Sequence, residues 1–274
     1  MLELPEALTL AAQLKKNVAG KTVARVFPPT KEHKFCWFNG DPKEYGASIN
    51  GSVVSSAEAF GIFAELGFDN GQKLCVNDGV NVRLINAGSA PVDYQLMIAF
   101  EDGSALVFTV AMYGGIVLHG GDYLNEYYLK SRRYISPLCD EFGGYYHADV
   151  NNSKPTLSAK ALIAAEQRFP GVGNGVLQDI LFNARIHPKR KLNTLDDPVR
   201  VRLLESMTST LREMTDKGGR DTERDLFGEP GGYVTLMSKN ALASGCPVCG
   251  GPITKEAYLG GSVYYCPVCQ PLLK

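Results

Sequence analysis

Cys246-Pro-Val-Cys249-Gly-Gly-Pro-Ile-Thr-Lys-Glu-Ala-Tyr-Leu-Gly-Gly-Ser-Val-Tyr-Tyr-Cys266-Pro-Val-Cys269 is the most specific stretch of the chain. Two Cys-x-x-Cys pairs flank a 16-residue spacer. They set four thiolates on two tight knuckles, the donor set of one structural zinc ion. Between them, Ile253 to Tyr265 carries Gly260-Gly261 between two β-leaning arms, so the spacing predicts a hairpin that presents its tip. A module of about 30 residues lacks a core of its own, and metal binding can supply its folding free energy. Cys36, Cys75 and Cys139 have no partner spacing and read as ordinary thiols, the first two in or near strands.

Upstream of this module, three segments carry apolar residues at three- and four-residue steps: Thr156 to Phe169, Gly175 to Ala184 and Asp197 to Lys217. Asp196-Asp197-Pro198 supplies a cap and a first-turn proline for the third. Pro170-Gly171-Val172-Gly173-Asn174-Gly175 joins the first two. Two readings are open at this join. It is a plain helix-helix turn, or its backbone amides at the next helix start receive an anion.

The first half reads differently. Glu6 to Asn17 places Leu8, Leu10, Ala11 and Leu14 at helical spacing before Gly20. From Thr22 to about His119 the pattern becomes short β-branched and aromatic runs: Thr22–Phe27, Gly51–Ser55, Gly61–Leu66, Lys73–Val76, Asn81–Ile85, Tyr94–Phe100, Ala105–Val110 and Gly115–Leu118. Turn signals such as Asp69-Asn70-Gly71 separate them, which fits a two-layer β-sandwich. Between Asp122 and Pro155 the periodicity dissolves, and this stretch reads as an interdomain connection. The expected organisation is α+β in two domains. Residues 1–125 form a helix plus β-sandwich, 126–155 the connection, 156–235 a helical domain and 240–274 the metal hairpin.

Composition narrows the function classes. With 45% hydrophobic and 21% charged residues in 274, the chain is an ordinary globular one and not a disordered one. Its longest apolar runs, Ala105 to Ala111 and Ala161 to Ala165, fall far short of the roughly 18 residues of a membrane span. Two glutamates precede any basic residue, so neither anchor nor signal peptide is predicted. Seven cysteines without an export signal point to a reducing cytoplasm. Net charge is -1, but residues 151–274 hold 16 basic against 12 acidic residues. The second half is therefore the better polyanion surface, although a solvated mixed surface accounts for this excess equally well.

In order and spacing these features resemble the formamidopyrimidine-DNA glycosylase and endonuclease VIII family along essentially the whole chain. Glu3-Leu4-Pro5-Glu6 is similar to the family's opening without its proline, and Ile135 to Phe142 to its interdomain segment. Gly171-Val-Gly-Asn174 through Ile186-His187-Pro188 resembles its helix-two-turn-helix, and Cys246 to Gln270 its zinc hairpin. The resemblance implies a monomer that grips damaged double-stranded DNA between two domains and associates with the nucleoid through it. Members attack the sugar C1′ with an N-terminal proline, forming a Schiff base that permits β-elimination.

Here Leu2 stands at that position, and a bulky second residue is expected to retain Met1, whose primary amine becomes the candidate nucleophile. Glu3 matches the family's catalytic glutamate; its bland alternative is a surface or helix-capping role beside Glu6. Other family positions are altered. The phosphate-contacting lysine falls on Ile62, the base-stack methionine near Asp78-Gly79, the Arg-Arg-Phe wedge on Met112-Tyr113-Gly114, and the hairpin arginine on Gly261. The residues expected to contact DNA are Lys160, Gly173, Asn174, Gly175, Lys189, Arg190 and the replacement wedge Met112 and Tyr113, with Lys191 completing a basic triplet that reads equally well as a solvated loop. Two functional readings follow: an active glycosylase with abasic-site lyase activity, or a non-catalytic DNA-binding member. Protein or RNA binding by the same scaffold is a weaker third.

Overall fold

The computed structural model describes residues 1–165 and 167–273. In chain order, the first half contains α1 (Leu4–Asn17), β1 (Val23–Phe27), β2 (Cys36–Phe38), α2 (Tyr45–Ile49), β3 (Val54–Phe60), β4 (Phe63–Phe68), β5 (Lys73–Val76), β6 (Val80–Asn86), β7 (Leu96–Phe100), β8 (Ser104–Val110) and β9 (Gly114–His119). The strands form two sheets, of order β2-β9-β5-β4-β3 and β1-β7-β8-β6. Each expected run lies on or beside a strand. The three-residue β2 and the short α2 were not legible, because neither is long enough to show a period. β2 is an edge strand that pairs parallel to β9, Trp37 lying beside Gly115.

Alternation along the strands builds the sandwich core. Leu66, Leu74, Val76, Ile116 and Leu118 of one sheet meet Val82, Leu96, Ile98, Leu106 and Phe108 of the other. Helix α1 starts two residues earlier than its periodicity suggested. The Glu6 carboxylate accepts the N–H of Glu3 at 3.3 Å, and Pro5 sits in the first turn, where its missing donor costs nothing. The helix serves both halves: Leu10 and Leu14 enter the sandwich core, whereas Leu4 enters the core of the helical half.

The expected irregular connection is two helices, α3 (Glu126–Arg133) and α4 (Phe142–Asn152). Its polar, Gly-rich composition hid them. Only Tyr128 and Ser131 of α3 are buried, and α4 buries Phe142, Tyr146 and Val150 at four-residue steps. Arg132 of α3 pairs with Glu58 and Glu65 of the sheet, and the Tyr128 hydroxyl donates to Glu65 at 2.7 Å. Although burial opposes ionisation, His119, Tyr128 and the nearby cations hold the Glu65 carboxyl down at about 2.

The second half contains α5 (Ala159–Ala164), α6 (Val176–Asn183), α7 (Asp197–Asp216), β10 (Thr254–Tyr258) and β11 (Gly261–Tyr265). Helix α5 is much shorter than the predicted Thr156–Phe169, and residue 166 of that range lies outside the described residues. Helices α4 to α7 share one core with Leu4, Phe169, Val172 and Tyr233. From α7 the chain crosses back to the sandwich. Leu226 is fully buried in the sandwich core, Leu84 donates its N–H to the Leu226 carbonyl at 3.0 Å, and Arg83 donates to the Asp225 carbonyl at 2.7 Å. The stretch 217–233 is therefore a strap between the halves. Among the described residues, no helix is long and apolar enough to cross a membrane.

Candidate nucleic-acid interface

The hairpin forms as its sequence predicts. β10 and β11 pair antiparallel from Thr254–Tyr265 to Tyr258–Gly261, and Leu259 and Gly260 at the tip both have positive φ, the backbone of a tight two-residue turn. The Sγ atoms of Cys246, Cys249, Cys266 and Cys269 lie within 4.8 Å of one another. Cys246–Cys269 and Cys249–Cys266 are 3.7 and 3.5 Å apart. A tetrahedron with metal–sulfur bonds of about 2.3 Å has edges of about 3.8 Å, so the cage has the dimensions of a metal-thiolate site.

This hairpin rests on the glycine-rich turn. Asn174 and Gln178 both donate to the Ser262 carbonyl, at 3.0 and 3.1 Å, and Gln178 accepts the N–H of Tyr264 at 3.0 Å. Gln270, wholly buried, donates to the Ile186 carbonyl at 2.8 Å, and the rings of His187 and Tyr265 meet at 4.3 Å. The metal knuckles and the Gly-Asn elbow thus stand side by side. The family's hairpin arginine position shows why the joint is close. A Cβ on Gly261 would stand 3.2 Å from the Asn174 amide, so a side chain there displaces Asn174.

Several residues expected to hold phosphates have partners inside the protein instead. Lys160 is buried and donates to the Tyr258 carbonyl at 2.6 Å, because a cation drawn under the hairpin must find an acceptor. Burial also lowers its pKa. Lys189 pairs with Glu256 at 2.7 Å, and Arg190, also buried, donates to the Thr194 carbonyl at 2.7 Å. These three fasten the hairpin and its neighbouring loop. Lys191 and Lys255 remain exposed on the same elements.

The amide of Gly175 is also taken. Glu3 reaches the start of α6 and accepts the N–H groups of Gly175 and Val176 at 2.8 and 2.7 Å, placing the protein's own carboxylate at the positive helix end. Both outer glycines follow from this contact. A Cβ on Gly173 would lie 2.6 Å from Glu3 Oε1, and one on Gly175 would overlap the Arg220 guanidinium. Arg220 donates to Glu6 from Nε and Nη2 at 2.9 and 2.7 Å, and its Nη1 lies 3.5 Å from Glu3. Burial works against both charges, raising the pKa of Glu3. For Arg220 the two carboxylates outweigh it and hold the guanidinium charged. Glu3 is thus no surface residue: it is the N-cap position of its own helix, and its carboxylate also caps the start of another.

Around Met1 the chain gathers groups that sequence reasoning missed. The Met1 amino group pairs with Glu223 of the strap, and Leu2 donates its N–H to the Asp78 carbonyl at 2.6 Å. Asp78 is half-buried in the left-handed region at φ 52°, and burial pushes its carboxyl up to about 6 against the pull of the Met1 ammonium. Its signal was the Asp78-Gly79 pair, a turn motif compatible with that backbone. The Tyr113 hydroxyl touches Met1 Sδ at 3.7 Å, and Met112 beside it is 64% exposed. Ile62, at the family's lysine position, is buried beneath α3 with Phe63, Val117 and Tyr128. Glu223, the partner of the Met1 amine, lines one cavity of about 180 Å³ together with Lys239 and with Asn174, Gln178 and Tyr264 of the hairpin joint.

No family model matches the chain. Among curated proteins, the formamidopyrimidine-DNA glycosylase of Geobacter sulfurreducens is 28% identical over 276 residues, covering 98% of this chain and all of the relative. That of Thermus thermophilus is 27% identical over 285 residues, covering 98% of each. The solved MutM (Fpg) protein from Thermus thermophilus superposes with a TM-score of 0.79 at 23% identity over 98% of each chain. Lactococcus lactis Fpg in complex with abasic-site DNA does so with a TM-score of 0.82 at 19% identity, over 98% of this chain and 99% of that one. With these relatives aligned from end to end, and with the sandwich, helical half and four-cysteine hairpin in one order, the chain shares the fold of these solved structures and resembles the formamidopyrimidine-DNA glycosylases over nearly its whole length.

Proposed function

We propose that this chain is a DNA base-excision repair protein that binds damaged duplex DNA in the cleft between its sandwich and its helical half. The observation that carries it is the joint of Asn174 and Gln178 on Ser262, which holds the helix-turn element and the hairpin together as one surface. Abasic-site DNA occupies the Lactococcus lactis relative that shares the fold, and the second half carries the basic excess that a phosphate backbone attracts. Zinc is the metal we assign to the hairpin, on the four thiolates and their spacing. Bound there, it supplies folding energy and no chemistry.

The reaction assigned to the cleft is base removal with abasic-site lyase activity. The amine of Met1 is the nucleophile toward sugar C1′, and Glu3 handles protons on the sugar oxygens. Glu223, paired with the amine, is placed to take its proton. A second reading, binding without base removal, draws support from the same place. Leu2 is packed into the sandwich core, and the amine is held in an ion pair. Borohydride trapping of metal-loaded protein on duplexes with abasic sites or oxidised bases separates the two. A covalent adduct supports the lyase; strong binding with no adduct across the panel supports the binder.

A further inference from the structure

Trp37, the single tryptophan of the chain, lies 53% exposed on the edge strand β2. It is not isolated: Phe35, Met112 and Tyr113 near it are also exposed, and such a patch is a surface for binding. Its neighbours explain the exposure. Cys36 and Phe38 turn inward against the sandwich core, so Trp37 points to the other face, where Gly115 opposite offers no side chain to cover it. Tyr113 stands beside it with ring centroids 6.2 Å apart and planes tilted by 56°, which leaves an outer face of the indole open. Through Tyr113 the ridge continues to Met1 and Glu223. At its other end Phe35 is 49% exposed under the ammonium of Lys34, 5.4 Å from its ring centre.

Exposed rings flanked by a cation form a surface that takes nucleobase faces and the phosphate beside them. Resting on the function proposed above, we propose that Trp37, buttressed by Tyr113, stacks on a nucleobase of duplex DNA that has lost its pairing partner. The occupant is specified by chemistry: a planar, uncharged ring carried on a polyanion. A base that has lost its partner leaves the stack at lower cost than a paired one, and can then turn a face to the indole.

Because Trp37 is the only indole, tryptophan emission reports on its surroundings without interference from another indole. Metal-loaded full chain is titrated at low salt with an abasic-site duplex, whose opposite base is unpaired, and with the fully paired duplex, while anisotropy of a label on the DNA follows binding. Stacking predicts a fall in emission with the abasic-site duplex that the paired duplex does not match. Trp37→Ala should weaken binding to the abasic-site duplex by about 5- to 150-fold, the equivalent of one stacked base, and Trp37→Phe should recover most of that loss. Anisotropy that reports binding while emission stays constant, or equal emission changes with both duplexes, overturns the stacking role and leaves the proposed function standing. No binding of either duplex overturns both.

Discussion

Glu3 accepts the N–H of Val176 at 2.7 Å, a contact that spans 173 residues and fastens the start of the sandwich half to the first turn of a helix in the other. With Gly175 and Arg220 it makes the N-terminal segment part of the helical half's own architecture. Glu3 is, in this chain, a structural pin between the two halves.

Glu3→Gln tests that pin. An amide in place of the carboxylate presents an NH2 group to one of the two backbone donors and leaves Arg220 with Glu6 alone. Unfolding free energy should fall by about 2–3 kcal/mol, the scale of losing a hydrogen bond to a buried charge. Denaturant titration of both proteins, with circular dichroism as probe, measures it.

Asp78 gives the protein a pH signature. Its carboxyl, raised to about 6 by burial, holds a proton in the native state that the unfolded chain has already released above about pH 4. Between about pH 4 and 6 the native state binds more protons than the unfolded one, so this group's contribution to stability declines as pH rises through that window. Asp78→Asn keeps the shape and tolerates the left-handed backbone. It should flatten that slope and raise stability at neutral pH by about 1–2 kcal/mol. Thermal melts at a series of pH values show whether it does.

Leu226 tests the strap. Its side chain is wholly buried in a core that belongs to the other half of the molecule. Leu226→Ala should cost about 2–5 kcal/mol, as other buried leucine truncations do, and should open residues 217–233 to proteolysis before the rest of the chain. Limited digestion with mass mapping reads out the order of cleavage.

Cys249→Ser removes one of four thiolates. The hairpin should lose its metal and its order, because few buried apolar groups besides Ile253 and Val263 hold it, while the sandwich keeps its fold. Metal content by elemental analysis and amide exchange across residues 246–270 report the two halves of that expectation.

Much of this was legible in the sequence, and the reasons differ by element. The four cysteines could be read at once, since metal geometry constrains spacing directly. The strands could be read because alternation has a period of two, and the long helix at Asp197–Asp216 because it runs long enough to show its own. Helix α4 could not, since its buried tyrosine and phenylalanine sit among glycines, asparagines and a histidine that mimic a loop. The site was legible as a set of positions but not as a set of partners. Lys160, Lys189 and Arg190 look like phosphate ligands in sequence, and only the fold supplies the carbonyls and the carboxylate that occupy them. Glu223, Arg220 and Trp37 were invisible because each takes its meaning from neighbours far along the chain, whereas Asp78 announced only its turn and not its place beside the N-terminus.

The most direct test of the cleft is a binding isotherm for metal-loaded protein and a labelled abasic-site duplex, measured over a range of salt beside Cys249→Ser. If hairpin and elbow together hold the backbone, wild-type protein binds at low salt, its affinity falls steadily as salt rises, and the variant binds far more weakly. Undetectable binding at low salt, or an isotherm unchanged by loss of the metal, contradicts it.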